Sequence, residues 1–183
     1  TKPSFWHSFV LMNDLRGNKV SLRAIESSDS EVLFDIENDT SGWIQSDNFL
    51  PFSKDVLSKY TSGQHDLVKF GQYRFMIETS LEPKPIGCVD LFDYNAVHSR
   101  AGVGIYLLES HRNKSFGREA LELLISYSKE RLNLRMLHCS ILDNNEPSKR
   151  LFDSIGFSET GVRNNWYLSN GAYRNVILLQ KEL

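Results

Sequence analysis

The stretch REALELLISYSKERL at 118–132 constrains the fold more than any other part of this 183-residue chain. Ala120, Leu121, Leu124, Ile125 and Ser128 recur at helical spacing, which gives one buried stripe and leaves the charged positions to solvent. Strand-like runs flank it, AGVGIYLL at 101–108 and MLHCSILD at 136–143. A helix with one apolar face, set between two strands, has to lay that face on a sheet. The rest of the chain fits the same plan. KVSLRAI at 19–25 alternates polar and apolar as a half-buried strand, and YRFMIET (73–79) and PIGCVDLFDY (85–94) add two more. SSDSEVLFDIEN (27–38) and SKDVLSKYTSG (53–63) read as short helices, the first led by serine and aspartate capping residues and the second stopped near Gly63. EPSKRLFDSIG (146–156) carries Pro147 in its first turn and Gly156 as its stop. The closing WYLSNGAYRNVILLQKEL is a hairpin turned at Asn170-Gly171. There is no internal repeat and no linker, so residues 19–183 are expected to form one mixed α/β domain.

Residues 1–18 are read as an extension ahead of that domain. TKPSFWHSFVL precedes Met12 and lacks the charged leader and cleavage site of a signal peptide. It is expected to be either a vector remnant or an upstream extension, and it receives no functional role.

Composition excludes several classes of function. A net charge of −2 argues against general nucleic-acid binding, which needs a basic excess. No apolar run approaches the roughly 20 residues a membrane helix requires. Cys88 and Cys139 stand alone in apolar, strand-like surroundings, as buried thiols do in a reducing cytoplasm, where we place the protein. The histidines at 7, 65, 98, 111 and 138 show no ligand spacing, and no metal is expected.

The loop ESHRNKSFG joins the strand at 101–108 to the long helix. A helix N-terminus offers unpaired N–H groups and a partial positive charge, and so favours anions. Arg112, Lys114 and Arg118 add full charges, and Gly117 removes a Cβ where backbone would approach a ligand. Taken alone, the loop reads equally as a phosphate cradle or as a surface turn.

The segment DNNEPSKRLFDSIGF at 143–157 changes that reading. Together the two segments resemble the GNAT N-acetyltransferase superfamily, which pairs a (Q/R)-x-x-G-x-(G/A) loop with a downstream Asn-x-x-Ser/Ala helix ending in Gly-Phe. Arg112, Ser115 and Gly117 fall on the loop positions, with serine in place of the usual glycine. Asn145, Ser148 and Gly156-Phe157 fall on the downstream pattern. The likeness runs from about Lys19 to the C-terminus. It is nearest the branch of spermidine/spermine and ribosomal-protein acetyltransferases, through VSLRAIE, IGCVDL, NAVHSRAGVGIYL and the tail WYLSNGAYRNV.

The resemblance implies an α/β (α+β) fold, the GNAT-like acyl-CoA N-acyltransferase architecture. Its sheet is mixed and mostly antiparallel, with six or seven strands and helices on both faces. It also implies acetyl-CoA as cofactor and direct attack by an amine in a ternary complex. Backbone N–H groups of Asn113, Lys114, Ser115, Phe116, Gly117 and Arg118 would hold the pyrophosphate, helped by the side chains of Arg112 and Lys114, while Arg118 would reach a phosphate of the nucleotide end. The strand at 105–108 would splay from its neighbour at a bulge, and Leu107 or Leu108 would offer an N–H to the thioester oxygen. Asn145 would bond the pantetheine, with Ser148 and Phe152 lining the cofactor on the same helix.

A lysine-type amine, with a pKa near ~10.4, must lose a proton before attack. Asp90, Asp93 and Glu109 are candidate relays through water, whereas His98 and His111 read as solvated loop histidines. The tyrosine that usually protonates the leaving thiolate is here Phe152. Tyr106, Ser148, Tyr94, Tyr167 and water are the substitutes, and a thiol of pKa near ~8.5 can also leave without a dedicated acid.

Between Glu26 and Asp55 stand eight acids, Glu26, Asp29, Glu31, Asp35, Glu37, Asp39, Asp47 and Asp55, against one base, Lys54. Such a field would draw a polyamine such as spermidine. It reads equally as a solvated acidic face. Trp43, Phe49 and Phe52 would supply an apolar wall. Other readings are a ribosomal-type acetyltransferase acting on a protein N-terminus or lysine, and a silent acyl-CoA-binding module, which Phe152 and Ser115 favour. Relatives in this branch often form homo-oligomers.

Overall fold

A computed structural model describes residues 15–39, 50–169 and 171–183. Seven strands form one sheet: β1 (Val20–Ala24), β2 (Tyr73–Thr79), β3 (Pro85–Asn95), β4 (Arg100–Leu107), β5 (Met136–Leu142), β6 (Ser158–Ser169) and β7 (Ala172–Glu182). Their spatial order is β1-β2-β3-β4-β5-β7-β6. The α-helices are α1 (Ser30–Glu37), α2 (Lys54–Thr61), α3 (Leu67–Phe70), α4 (Phe116–Glu130) and α5 (Glu146–Ser154), with single 3₁₀ turns at Ser27–Asp29 and Glu109–His111.

Local chemistry accounts for most boundaries. Asp29 is 2% exposed; its carboxylate accepts from the Glu26 N–H at 2.8 Å and holds Arg23 at 2.7 and 2.9 Å, so the helix expected at 27–38 opens with a 3₁₀ turn. Ser53 caps α2 by accepting from the Val56 N–H at 3.2 Å. Asp66 caps the four-residue α3, which the sequence reading lacks, and Gly71 ends it in the left-handed region at φ 69°. The long helix starts two residues before the expected 118, because Ser115 adopts φ 66° and turns the chain into it. Leu15–Asn18 already belong to the fold: Arg16 bridges to Ser21, and the Leu22 N–H donates to the Leu15 carbonyl at 2.8 Å. The domain therefore begins ahead of the expected residue 19. Of the expected hairpin turn, Asn170 lies outside the described residues; β6 starts at Ser158, well before Trp166.

Helices cover both faces. On one, Ala120, Leu121 and Leu124 of α4 pack with Val89, Leu91, Val103 and Leu137, and Phe152 of α5 joins the same core. Ser128 is fully buried, while Ile125 is only half-buried. On the other face, Leu33 and Ile36 of α1 meet Met76 and Cys88.

Neighbouring strands are antiparallel except β4 and β5, whose parallel pairing is short: Arg100 with Met136, Ala101 with Leu137, and Gly102 with His138. Beyond that point β4 stays with β3 as far as the Gly87–Leu107 pair, while β5 stays with β7 as far as Leu142–Val176. The sheet thus opens between its fourth and fifth strands. No bulge in β4 produces the opening. The register shift lies between Phe92 and Asn95 of β3, at the closed end.

Gly87 holds β3 close to the open half of β4. A Cβ there would collide with the Tyr106 carbonyl oxygen and crowd the Leu107 backbone, which cannot move without breaking the ladder. Gly87→Ala is expected to destabilise by about 1–3 kcal/mol, read as a lower urea midpoint at unchanged m.

Candidate functional site

The opening exposes backbone of known direction. Leu108 donates its N–H to the Ile86 carbonyl at 2.9 Å, so Ile86 and Leu108 face each other as a hydrogen-bonded pair. Pairs alternate along an antiparallel ladder, which makes Cys88–Tyr106 another bonded pair. Ile105 and Leu107 then turn their N–H and C=O groups the other way, towards the space β5 has left. Of the two residues expected to offer an N–H there, Leu107 does so. Leu108 is corrected, since its N–H is taken by β3.

At the far end of β4, Asn113 and Ser115 both have positive φ, 59° and 66°. Alternating handedness of this kind turns successive N–H groups to one side, as anion-binding nests do. The N–H groups of Phe116, Gly117 and Arg118 precede the first intrahelical bond, and no side chain caps them. Gly117 serves packing. A Cβ there would lie 3.3 Å from Leu107 Cδ1 and 3.5 Å from both Ile105 Cδ1 and Leu151 Cδ2, so the glycine lets α4 start directly on β4. The loop cations are folded onto the protein: Lys114 Nζ donates to the Ser110 carbonyl at 2.8 Å, and Arg118 pairs with Glu122 at 2.9 Å. Arg112 Nε donates to the Leu107 carbonyl at 2.9 Å.

Asn145 is the N-cap of α5, its Oδ1 accepting from the Ser148 N–H at 3.2 Å. The Asn-x-x-Ser spacing thus has a capping role, and only the Asn145 amide group remains for a ligand. Phe152 is 4% exposed, with its ring edge-on to Phe157 at 5.0 Å. It belongs to the core, and the expectation that it lines the cofactor is corrected.

The α1/α2 face carries the charge. Arg74, opposite Asp90 on the neighbouring strand, holds that carboxylate with two bonds of 2.7 and 2.8 Å and also bonds Glu37. Burial opposes the charge on Arg74, but Asp90 and Glu37 more than offset it and keep the guanidinium protonated. Asp90, doubly bonded in this way, is not a free base. Arg74 was not among the sequence candidates, because only strand register reveals its partner. Beside it lies a cavity of about 550 Å³ between α2 and the sheet, lined in part by Glu37, Phe52, Tyr60, Tyr73, Arg74 and Asp90. Trp43, Phe49 and Asp47 lie outside the described residues.

Two residues along β4 from Gly104, the partner of Asp90, Tyr106 projects from the same face and donates its hydroxyl to Asp39. Burial, and then the Asp39 carboxylate, push the Tyr106 phenol up to about 12. The Arg112 guanidinium lies 5.4 Å above the Tyr106 ring, and its Nη2 is 3.8 Å from Asp39. Glu109 is exposed in the turn after β4, and Ser148 is half-buried in the first turn of α5.

Topology removes other candidates. Asp93, Tyr94 and His98 cluster around the turn that joins Asn95 to Arg100, at the closed end of the sheet. Tyr94 lines a separate hollow with Tyr127 and Leu132. Tyr167 pairs with Arg174 between β6 and β7, and β7 stands between it and β5. His111 sits in the turn leading to the loop, its ring 6.3 Å from Phe116.

An opened parallel pair, a backbone N–H turned into the gap and an uncapped helix N-terminus at its mouth define a site for an extended anionic cofactor. The residues present fit an acyl-CoA, with Leu107 for its thioester end and the 113–118 backbone for its phosphates. Residues 19–158 match the family described as Acetyltransferase (GNAT) domain, and the chain belongs to that family of acetyl-CoA-dependent N-acetyltransferases. It is similar to spermidine N(1)-acetyltransferase of Vibrio cholerae, 27% identical over 164 residues, or 87% of this chain and 90% of that one. It is also similar to the enzyme of that name from Escherichia coli K12, 28% identical over 165 residues, or 87% and 84%. The fold matches a crystal structure of spermidine N-acetyltransferase from Vibrio cholerae in complex with CoA and spermine, with a TM-score of 0.77, 24% identity and coverage of 91% and 96%. Among the described residues no helix is long and apolar enough to cross a membrane, and no group of three or more His, Cys, Asp or Glu side chains is placed to hold a metal ion.

Two outcomes follow from this geometry. A non-glycine residue in the left-handed region costs about 1–2 kcal/mol, so Ser115→Gly should raise unfolding free energy by up to about 1 kcal/mol and preserve or improve cofactor affinity; a large loss of affinity would show that the hydroxyl itself binds. Cys88 and Cys139 are both buried and free, and burial pushes the Cys88 thiol far up and that of Cys139 up to about 12. A thiol reagent should therefore label neither cysteine in the native protein at pH 8, and should label both after unfolding.

Proposed function

We propose that the chain acetylates a primary amine of a polyamine, spermidine being the first to test, and that it does so as a single domain in the cytoplasm. The observation that carries this is the placing of Glu37 and Asp90 in the wall of an aromatic-lined cavity, with Asp39 following Glu37 at the end of α1 and held by Tyr106 of β4. A polycation is drawn to such carboxylates, and its methylene stems suit Phe52, Tyr60 and Tyr73. The names of the relatives support the same acceptor class. Much of the acidic excess at 26–55 has other work: Asp29 holds Arg23, and Asp55 pairs with Lys59 at 2.8 Å.

Acetyl-CoA, when bound, supplies the acetyl group as a thioester. The Leu107 N–H would stabilise negative charge developing on the carbonyl oxygen, an interaction whose removal typically costs 10²–10³ in rate. The 113–118 backbone, with Arg112, would hold the phosphates, and Asn145 would spend its remaining amide hydrogens on the pantetheine. Asp39 and the exposed Glu109 are the carboxylates placed to relay the amine proton through water. Tyr106 does not serve as the acid. A phenol at about 12 is a weaker acid than a thiol at ~8.5, so the transfer runs uphill, and Tyr106 instead holds Asp39. Homo-oligomer formation is proposed by likeness to a dodecameric spermidine N-acetyltransferase structure from Vibrio cholerae.

Release of free thiol from acetyl-CoA should follow addition of spermidine, and mass spectrometry should find one acetyl group on the amine. Binding of acetyl-CoA without thiol release across polyamines and basic peptides would favour the silent module, and no binding at all would refute both. Tyr106→Phe should leave kcat within a few-fold of wild type. A loss of about 10²-fold or more, the range of a general acid, would restore Tyr106 to that role.

A further inference from the structure

Arg112 belongs to the phosphate loop by position and to the acceptor side by contact. Its Nε donates to the Leu107 carbonyl at 2.9 Å, on the edge of β4 that faces the opening. Its Nη2 lies 3.8 Å from the Asp39 carboxylate, and its guanidinium covers the Tyr106 ring at 5.4 Å. Asp39 in turn receives the Tyr106 hydroxyl. One cation thus spans the gap between the donor edge and the carboxylate at the end of α1.

We infer that Arg112 is a latch through which the donor controls the acceptor site, with Asp39 as the positioning carboxylate for the incoming ammonium. The inference rests on the polyamine reading above and adds a coupling to it. In the free protein the guanidinium partly neutralises Asp39 and occupies the Leu107 carbonyl. The pair is loose: the Asp39 side chain is 30% exposed and that of Arg112 42%, and 3.8 Å is too long for a firm hydrogen bond. A diphosphate on the neighbouring 113–118 backbone offers the guanidinium two charges and bidentate geometry, which this contact does not. Once Arg112 turns to the phosphates, Asp39 loses this cationic neighbour while Tyr106 still donates to it, and an ammonium group can take the place of the guanidinium. Tyr106 fixes the carboxylate throughout, so the aim of Asp39 does not depend on the occupant.

Calorimetric titration of spermidine into the protein, with and without saturating CoA, tests the coupling without turnover. Wild type should bind spermidine about tenfold more tightly with CoA present, within the usual 5–150-fold range of such couplings, and CoA affinity should rise by the same factor with spermidine present. In Arg112→Gln the spermidine affinity should already be high without CoA and barely respond to it, while CoA itself binds more weakly. In Asp39→Asn spermidine should bind weakly under both conditions, with CoA affinity at or above that of wild type. Equal spermidine affinity with and without CoA in the wild type, or full coupling in Arg112→Gln, would overturn the latch and leave the acetyltransferase reading intact. Absence of spermidine binding under both conditions would overturn the latch together with the polyamine acceptor. Failure of CoA itself to bind would instead count against the cofactor site.

Discussion

Past Gly102 and His138, the fourth and fifth strands no longer bond to one another, yet each continues for several residues beside its other neighbour. Backbone groups on the freed edge must still find partners. On β4 these are the inward-turned groups of Ile105 and Leu107. The rest of the site is arranged around that edge. Gly117 lets α4 begin against Leu107 and Ile105, which brings the uncapped N-terminus of α4 to the mouth of the gap. Gly87 lets β3 hold the open half of β4 in place while β5 turns away with β7.

Charge is distributed by the same geometry. The acidic character of residues 26–55 is not one field but several local arrangements. Asp29 is consumed in holding Arg23 and the start of α1. Glu37 and Asp90 are organised by Arg74 in the wall of the cavity, and Asp39 is shared by Tyr106 and Arg112. A side chain tied by two hydrogen bonds to a buried guanidinium has little freedom to act as a base.

The strands and helices were legible because their signals are local. The stripe of Ala120, Leu121 and Leu124 and the bracket of Pro147 and Gly156 need no knowledge of the rest of the fold. The two-part loop and helix pattern around Ser115 and Asn145 was enough to point to the family and its cofactor. What depended on register was not legible. Whether Leu107 or Leu108 offers its N–H is decided by a two-residue alternation across the ladder. Arg74 acquires its meaning only from lying opposite Asp90, and Asp93, Tyr94 and His98 are removed only by falling at the closed end of the sheet. Phe152 was read as a missing catalytic hydroxyl; its ring is a core contact of Phe157, and the assignment of an acid has to be argued from acidity. On that ground Tyr106 is proposed as a holder of Asp39 and not as the acid, because burial and then the Asp39 carboxylate weaken it as a proton donor.

The central claim is that the freed edge of β4 is where the cofactor binds. Amide hydrogen exchange, read residue by residue with and without CoA, tests it directly. New protection should appear at Ile105 and Leu107 and in the 113–118 loop when CoA is added, with Leu108 unchanged because β3 already holds its N–H. Saturable CoA binding that leaves Ile105 and Leu107 exchanging as in the free protein would contradict it.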